Sequence, residues 1–162
     1  TLNDILSAKK FLEAIVNSIH EPIIGRGIDY AVGMEGSLKL KEISYIHSEA
    51  YAAGELKHGP ISLIEDGTVV FSVVTQSALY EKTISNMVEV KSRGAKLFGL
   101  TTYGNYAMED VADFTVYTPR IDNLFAASLS VVPLQLLSYY VSVGKGYDVD
   151  KPRNLAKSVT VE

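Results

Sequence analysis

VVFSVVTQSALYEKTISNMVEVKSRGAKLFGL, residues 69–100, decides the fold class. Its opening VVFSVV (69–74) is nearly all apolar and rich in β-branched residues, the pattern of a strand covered on both faces. Helical spacing follows from about Leu79 to Arg93, with Gly94 standing where a C-cap glycine belongs. KLFGL (96–100) is then a second apolar strand. Strand, helix and strand in this order form a crossover unit, and such units join parallel strands.

The same alternation extends outward. Downstream, a short helix around Tyr106–Val111 leads to the strand FTVY (114–117). Upstream lie strands at Pro22–Gly25 and Glu49–Ala53, joined by the helix that carries Glu42. Residues 2–19 form an amphipathic helix through Ile5, Ala8, Leu12, Ile15 and Ile19, with Thr1 and Asp4 as a capping pair. The uncharged run LFAASLSVVPLQLLSYYVSV (124–143) approaches membrane-spanning length, but Ser128, Ser130, Pro133, Gln135 and Ser138 interrupt it. It is read as a buried helix, bent at Pro133 and ending near Gly144 or Gly146. The whole predicts an α/β fold whose mostly parallel sheet is covered on both faces. Ligands are then expected at the carboxyl ends of the strands.

With 162 residues the chain suits one domain. Its 47% hydrophobic and 21% charged residues are ordinary for a globular protein. A net charge of −4 with no concentrated basic patch argues against a nucleic-acid partner. The absence of cysteine removes disulfides, thiolate metal sites and cysteine nucleophiles, and fits a cytoplasmic location. The chain opens on Thr1 with no signal-peptide pattern, and it reads as a piece cut from a longer protein.

Chemistry concentrates in EGSLKLKEISYIHSEAYAAGELKHGP (35–60). On a regular helix Glu35, Lys39 and Glu42 share one face with Ala31 and Ile46. That face is unlike a solvated stripe, although ion pairs worth a few tenths of a kcal/mol explain the charges equally well. His58 sits on a tight loop between glycines and Pro60, where a backbone-bonded histidine is an equal alternative. His47, Glu49, Glu55 and His58 match no metal-ligand spacing, so no metal is expected. Gly25-Arg26-Gly27 lies between strand and helix, but Tyr30 occupies the third glycine position of a dinucleotide fingerprint. Close backbone packing explains those glycines better. Lys157, taken alone, reads as a solvated tail lysine.

GMEGSLKLKEISYIHSEAYAAGELKHGP (33–60), VPLQLLSYY (132–140) and DVDKPRNLAKSVTVE (148–162) together resemble the carboxyl-terminal part of glutamine–fructose-6-phosphate aminotransferase (isomerizing), the glucosamine-6-phosphate synthase family. The resemblance implies the second of two sugar isomerase (SIS) domains, a three-layer α/β/α sandwich of flavodoxin-like type with a five-stranded sheet. It divides the chain into a SIS domain over residues 1–145 and an active-site tail over 146–162.

The family converts fructose 6-phosphate and glutamine-derived ammonia to glucosamine 6-phosphate. By this resemblance Lys157 forms a Schiff base with the ketose, Glu42 moves a proton between C1 and C2, and His58 assists ring opening. Lys39 and Ala156 belong to the same substrate site. The histidine loop serves a neighbouring subunit, so a homodimer is expected, with no cofactor. Arg153 and Lys39 are candidate cations for lowering the Lys157 pKa.

The first SIS domain and the cysteine-dependent glutaminase lie outside this sequence, so little activity is expected of the chain alone. A stand-alone sugar-phosphate sensor is the rival reading. It needs neither the Schiff-base lysine nor the ring-opening histidine. A related deglycase or isomerase is a third, against which the NLAKSVTVE ending speaks.

Overall fold

The structure is a computed structural model and describes residues 2–18 and 20–153. Five strands, β1 (His20–Gly25), β2 (His47–Ala52), β3 (Val69–Val74), β4 (Lys96–Thr102) and β5 (Phe114–Thr118), form one sheet in the order β2-β1-β3-β4-β5. Every pairing is parallel. Four helices accompany them: α1 (Leu2–Val16), α2 (Ile28–Lys39), α3 (Tyr80–Lys91) and α4 (Asn123–Gly144).

β3 shows why the sheet is sandwiched. Val69, Phe71 and Val73 enter a core with Phe11 and Ile15 of α1, Val32 of α2 and Leu134 and Val141 of α4. Val70 and Val74 enter a second core with Met87 and Val90 of α3 and with Leu56 and Ile61. Alternate side chains point to opposite faces, so a strand buried on both must be apolar throughout.

Glycines bring α2 into this packing. A Cβ at Gly25 would lie 2.6 Å from the Asp29 carbonyl carbon, and one at Gly36 would lie 2.7 Å from Leu134 Cδ1. The expectation of close backbone packing at Gly25 therefore holds. α1 ends at Val16 rather than residue 19, and the Thr1–Asp4 cap lies outside the described residues. The short helix over 106–111 is 3-10 over Tyr106–Asp110.

α4 departs from the buried helix expected. Among the described residues it alone is long and apolar enough to cross a membrane, and only 28% of its most apolar window is buried. Ala126, Ser130, Leu134, Ser138, Val141 and Ser142 make its inward stripe. Leu124, Phe125, Leu136 and Tyr140 face outward. The helix closes one face of the sheet with small and serine residues, because their short side chains allow close approach to α2.

Candidate functional site

α2 does not end as a regular helix. After Lys39 the backbone widens into a π-helical turn, Leu40–Ser44, and Glu42 lies within it. Such turns insert an extra residue per repeat and recur at functional sites. The turn moves Glu42 out of simple i+7 register with Glu35, yet keeps it beside Lys39. Lys39 Nζ lies 2.6 Å from Glu42 Oε2 and 3.4 Å from Glu35 Oε1. The Glu42 hydrogen bond chiefly, with Glu35 assisting, raises the Lys39 pKa, so this amine stays charged. The three side chains are 30–47% exposed, open to a ligand yet partly shielded.

Two contacts fix the turn. The Ser44 hydroxyl donates to Leu40 O at 2.6 Å, and Ser142 of α4 donates to Ile43 O at 2.8 Å. The chain then leaves through Tyr45, a non-glycine residue with φ 58°. Here the tail returns. The Arg153 backbone N–H donates to the Tyr45 hydroxyl at 2.8 Å, and its guanidinium carbon lies 4.1 Å from the Tyr45 ring centroid. Tyr147 packs its edge against Tyr45 at 4.9 Å.

This corner sits where α2 and α4 end, so it lies at the amino ends of the strands. The expectation of chemistry at their carboxyl ends fails for Glu42 and Lys39. A helix that follows a parallel strand runs back, and its last turn finishes beside the next strand's start.

The carboxyl ends of β1 and β3 are closed by other means. Asp29, 2% exposed, accepts from the backbone N–H groups of Thr75 and Gln76 at 2.8 and 3.2 Å and from the Thr75 hydroxyl. Burial raises its pKa, and those hydrogen bonds oppose the rise.

His58 is not brought to Glu42. It ends the 3-10 segment Ala53–His58, whose Ala53 and Leu56 pack into the core on the α3 face, opposite α2 and α4. The imidazole lies 3.8 Å from Glu55 and is 74% exposed. Its loop is propped from below. Arg26 Nη2 donates to Asn86 Oδ1 at 2.8 Å, Gly54 packs on that guanidinium, and Lys57 pairs with Glu89 at 3.4 Å. Among the described residues no three His, Asp or Glu side chains are grouped to hold a metal ion. His47–Glu49, within β2, and Glu55–His58, on the 3-10 segment that follows it, form separate pairs. Lys157 and Ala156 lie outside the described residues.

Sequence reasoning missed Tyr45, Ser142 and Asp29. Only Asp29 carried a local signal, as an acid in the first turn of α2.

The SIS domain family matches residues 16–144. The chain is 64% identical over 139 residues, 86% of its length, to the glutamine–fructose-6-phosphate aminotransferase [isomerizing] of Clostridium tetani, of which it covers 23%. It is 52% identical over 162 residues, its whole length, to the enzyme of that name from Symbiobacterium thermophilum, of which it covers 27%. Among solved structures it resembles the C-terminal domain of glucosamine-fructose-6-phosphate aminotransferase from Francisella tularensis, with TM-score 0.81 and 38% identity. That match covers 91% of this chain and 42% of the other. The chain thus spans about a quarter of the curated relatives it matches. With its five-stranded parallel sheet between helical layers, this chain belongs to the SIS domain family.

Proposed function

We propose that this chain is the second isomerase domain of a glucosamine-6-phosphate synthase, and that the Glu42 corner handles the proton transfer. The observation that carries the reading is the 2.6 Å pair between Lys39 Nζ and Glu42 Oε2 on a braced turn. A carboxylate held between two adjacent carbons can take a proton from C1 and return it to C2. General-base work of this kind contributes roughly 10²–10⁴-fold in rate. Lys39, fixed in its charged form, orients Glu42 and offers a cation to the sugar, but a protonated amine is no nucleophile.

That role falls to Lys157 of the tail. Its neutral amine attacks the ketose carbonyl and water leaves as the Schiff base forms. Lys39 and Arg153 are the cations that favour the neutral amine. Ala156 contacts the sugar from the same segment. Fructose 6-phosphate is the substrate in this reading, and glucosamine 6-phosphate the product. Ammonia comes from a glutaminase domain elsewhere in the assembly. The exposure of His58, on the face away from Glu42, supports its service in a neighbouring subunit of a cytoplasmic homodimer. The chain alone is then largely inactive.

The test is covalent. In an enzyme that joins this chain to a first SIS domain and a glutaminase, borohydride is expected to trap fructose 6-phosphate on Lys157. Lys157→Arg abolishes the adduct, and Glu42→Gln leaves the adduct but removes C1–C2 proton exchange. An adduct that survives Lys157→Arg refutes the assignment.

A further inference from the structure

We infer that the polar cleft at the carboxyl ends of β3, β4 and β5 is a binding site in its own right, and that its ligand is a free α-amino acid with a carboxamide side chain. The cleft lies at the opposite edge of the sheet from the Glu42 corner and stands whatever that corner does.

Its volume is about 290 Å³, at the small end of ligand pockets, and its walls come from three successive loops. Thr75 and Ser77 follow β3, Thr102 ends β4 and Asn105 follows it, and Arg120 and Asp122 lead from β5 into α4. Open parallel sheets hold ligands at this edge.

Charge selects the ligand's backbone. Arg120 and Asp122 are both exposed, and among the described residues neither is paired with the other or with any other charged side chain. Asp122 caps α4, its Oδ1 accepting from the Leu124 N–H at 2.8 Å, so a carboxylate already occupies the helix start. A bare anion such as phosphate meets that carboxylate as well as Arg120, and the repulsion offsets the attraction. A ligand that carries both a carboxylate and an ammonium satisfies both residues, the first on the Arg120 fork and the second on the free Asp122 oxygen.

Hydrogen-bonding capacity selects the side chain. Asn105 spends both amide hydrogens, on Thr101 Oγ1 at 3.0 Å and on Thr102 Oγ1 at 3.1 Å, so its Oδ1 is left to accept. Thr101 in turn donates to Val74 O at 2.7 Å, and the Tyr80 hydroxyl donates to Asn105 O at 3.3 Å. Asn105 is thereby held in place before any ligand arrives. The Thr102 hydroxyl accepts from Asn105 and keeps its own hydrogen to give. An acceptor beside a donor is the complement of a carboxamide, whose NH2 gives and whose oxygen accepts.

L-Asparagine tests this beside two analogues that each lack one charge: succinamate has no ammonium, and 3-aminopropanamide no carboxylate. Titrated into the isotope-labelled chain and followed by NMR, L-asparagine is expected to shift the amides of residues 75–77, 102–105 and 120–123 and to leave those of 39–44 unmoved. Both analogues are expected to bind at least roughly tenfold more weakly, as is L-asparagine to Arg120→Gln and to Asp122→Asn. Asparagine caps a helix as well as aspartate does, so Asp122→Asn removes the charge and keeps α4. Thr102→Val is expected to abolish the preference for L-asparagine over L-leucine. Amide dispersion checks the folding of each variant, and the analogues read the same two charges on the unaltered chain should a variant not fold. Inorganic phosphate that shifts these amides as strongly as L-asparagine makes the cleft a plain anion site and overturns the proposal. So does an affinity for L-asparagine that survives the loss of either charge, or the absence of any shift at roughly 10 mM ligand.

Discussion

The Ser142 hydroxyl donates to the Ile43 carbonyl at 2.8 Å, joining positions 99 residues apart. It ties the last turn of α4 to the π-helical turn that carries Glu42, whose widened backbone leaves carbonyls in need of donors. Ser142→Ala leaves that carbonyl without its donor in a part-buried site. A loss of about 1–2 kcal/mol is expected in urea denaturation. An unchanged midpoint would show that water replaces the hydroxyl.

Gly36 is where α2 and α4 touch. A Cβ there would fall 2.7 Å from Leu134 Cδ1 and 3.2 Å from Ile23 Cδ1. Gly36→Ala should destabilise by about 1–3 kcal/mol through overpacking, despite the better helix propensity of alanine. Adding Leu134→Ala makes room, so the double variant should lose less than the two single changes summed. Strict additivity would contradict this contact.

Glu21 is wholly buried on β1, and burial pushes its carboxyl up to about 8. In the unfolded chain the same group ionises near 4.5, so between these values the folded state binds more protons. The stability it contributes is fully present below about 4.5 and is lost as pH rises toward 8. Glu21→Gln should therefore gain stability over the parent as pH rises, by on the order of several kcal/mol at pH 8. Denaturation curves of the two chains from pH 5 to 8 read the difference directly. Taking the difference cancels other titrations, including that of His20, whose pKa burial lowers. A pH-independent difference would sink the assignment.

Gly54 lies against the Arg26 guanidinium, and a Cβ would sit 2.9 Å from Nη2. Gly54→Ala should displace Arg26 from Asn86, costing about 1 kcal/mol, and loosen the loop that presents His58. In an Arg26→Ala background the same change should cost almost nothing. A double-mutant cycle measures this coupling, and a coupling near zero would mean that Arg26 does not prop the loop.

Sequence alone determined the α/β class, the five strands to within two residues of their ends, and the helix–strand alternation. These depend on local periodicity, which each segment of β3 and α3 carries by itself. Glycine at 25 was likewise legible, because a strand-to-helix turn packs its own neighbours. The chemistry-bearing stretch around Glu42 also stood out, since its charges break the apolar pattern.

Only the tertiary structure decided the rest. The strand order, the widening of the helix at Leu40 and the outward apolar face of α4 come from how layers pack, which no local window contains. The same holds for Asp29 on Thr75, for Ser142 on Ile43 and for Arg153 on Tyr45. Each joins residues some 46 to 108 positions apart, and each partner alone looks like an ordinary surface polar group. The sheet sets these distances: its parallel strands bring Asp29 and Thr75 together at their carboxyl ends, and its crossovers return the ends of α2 and α4 to the amino edge, where the other two pairs meet.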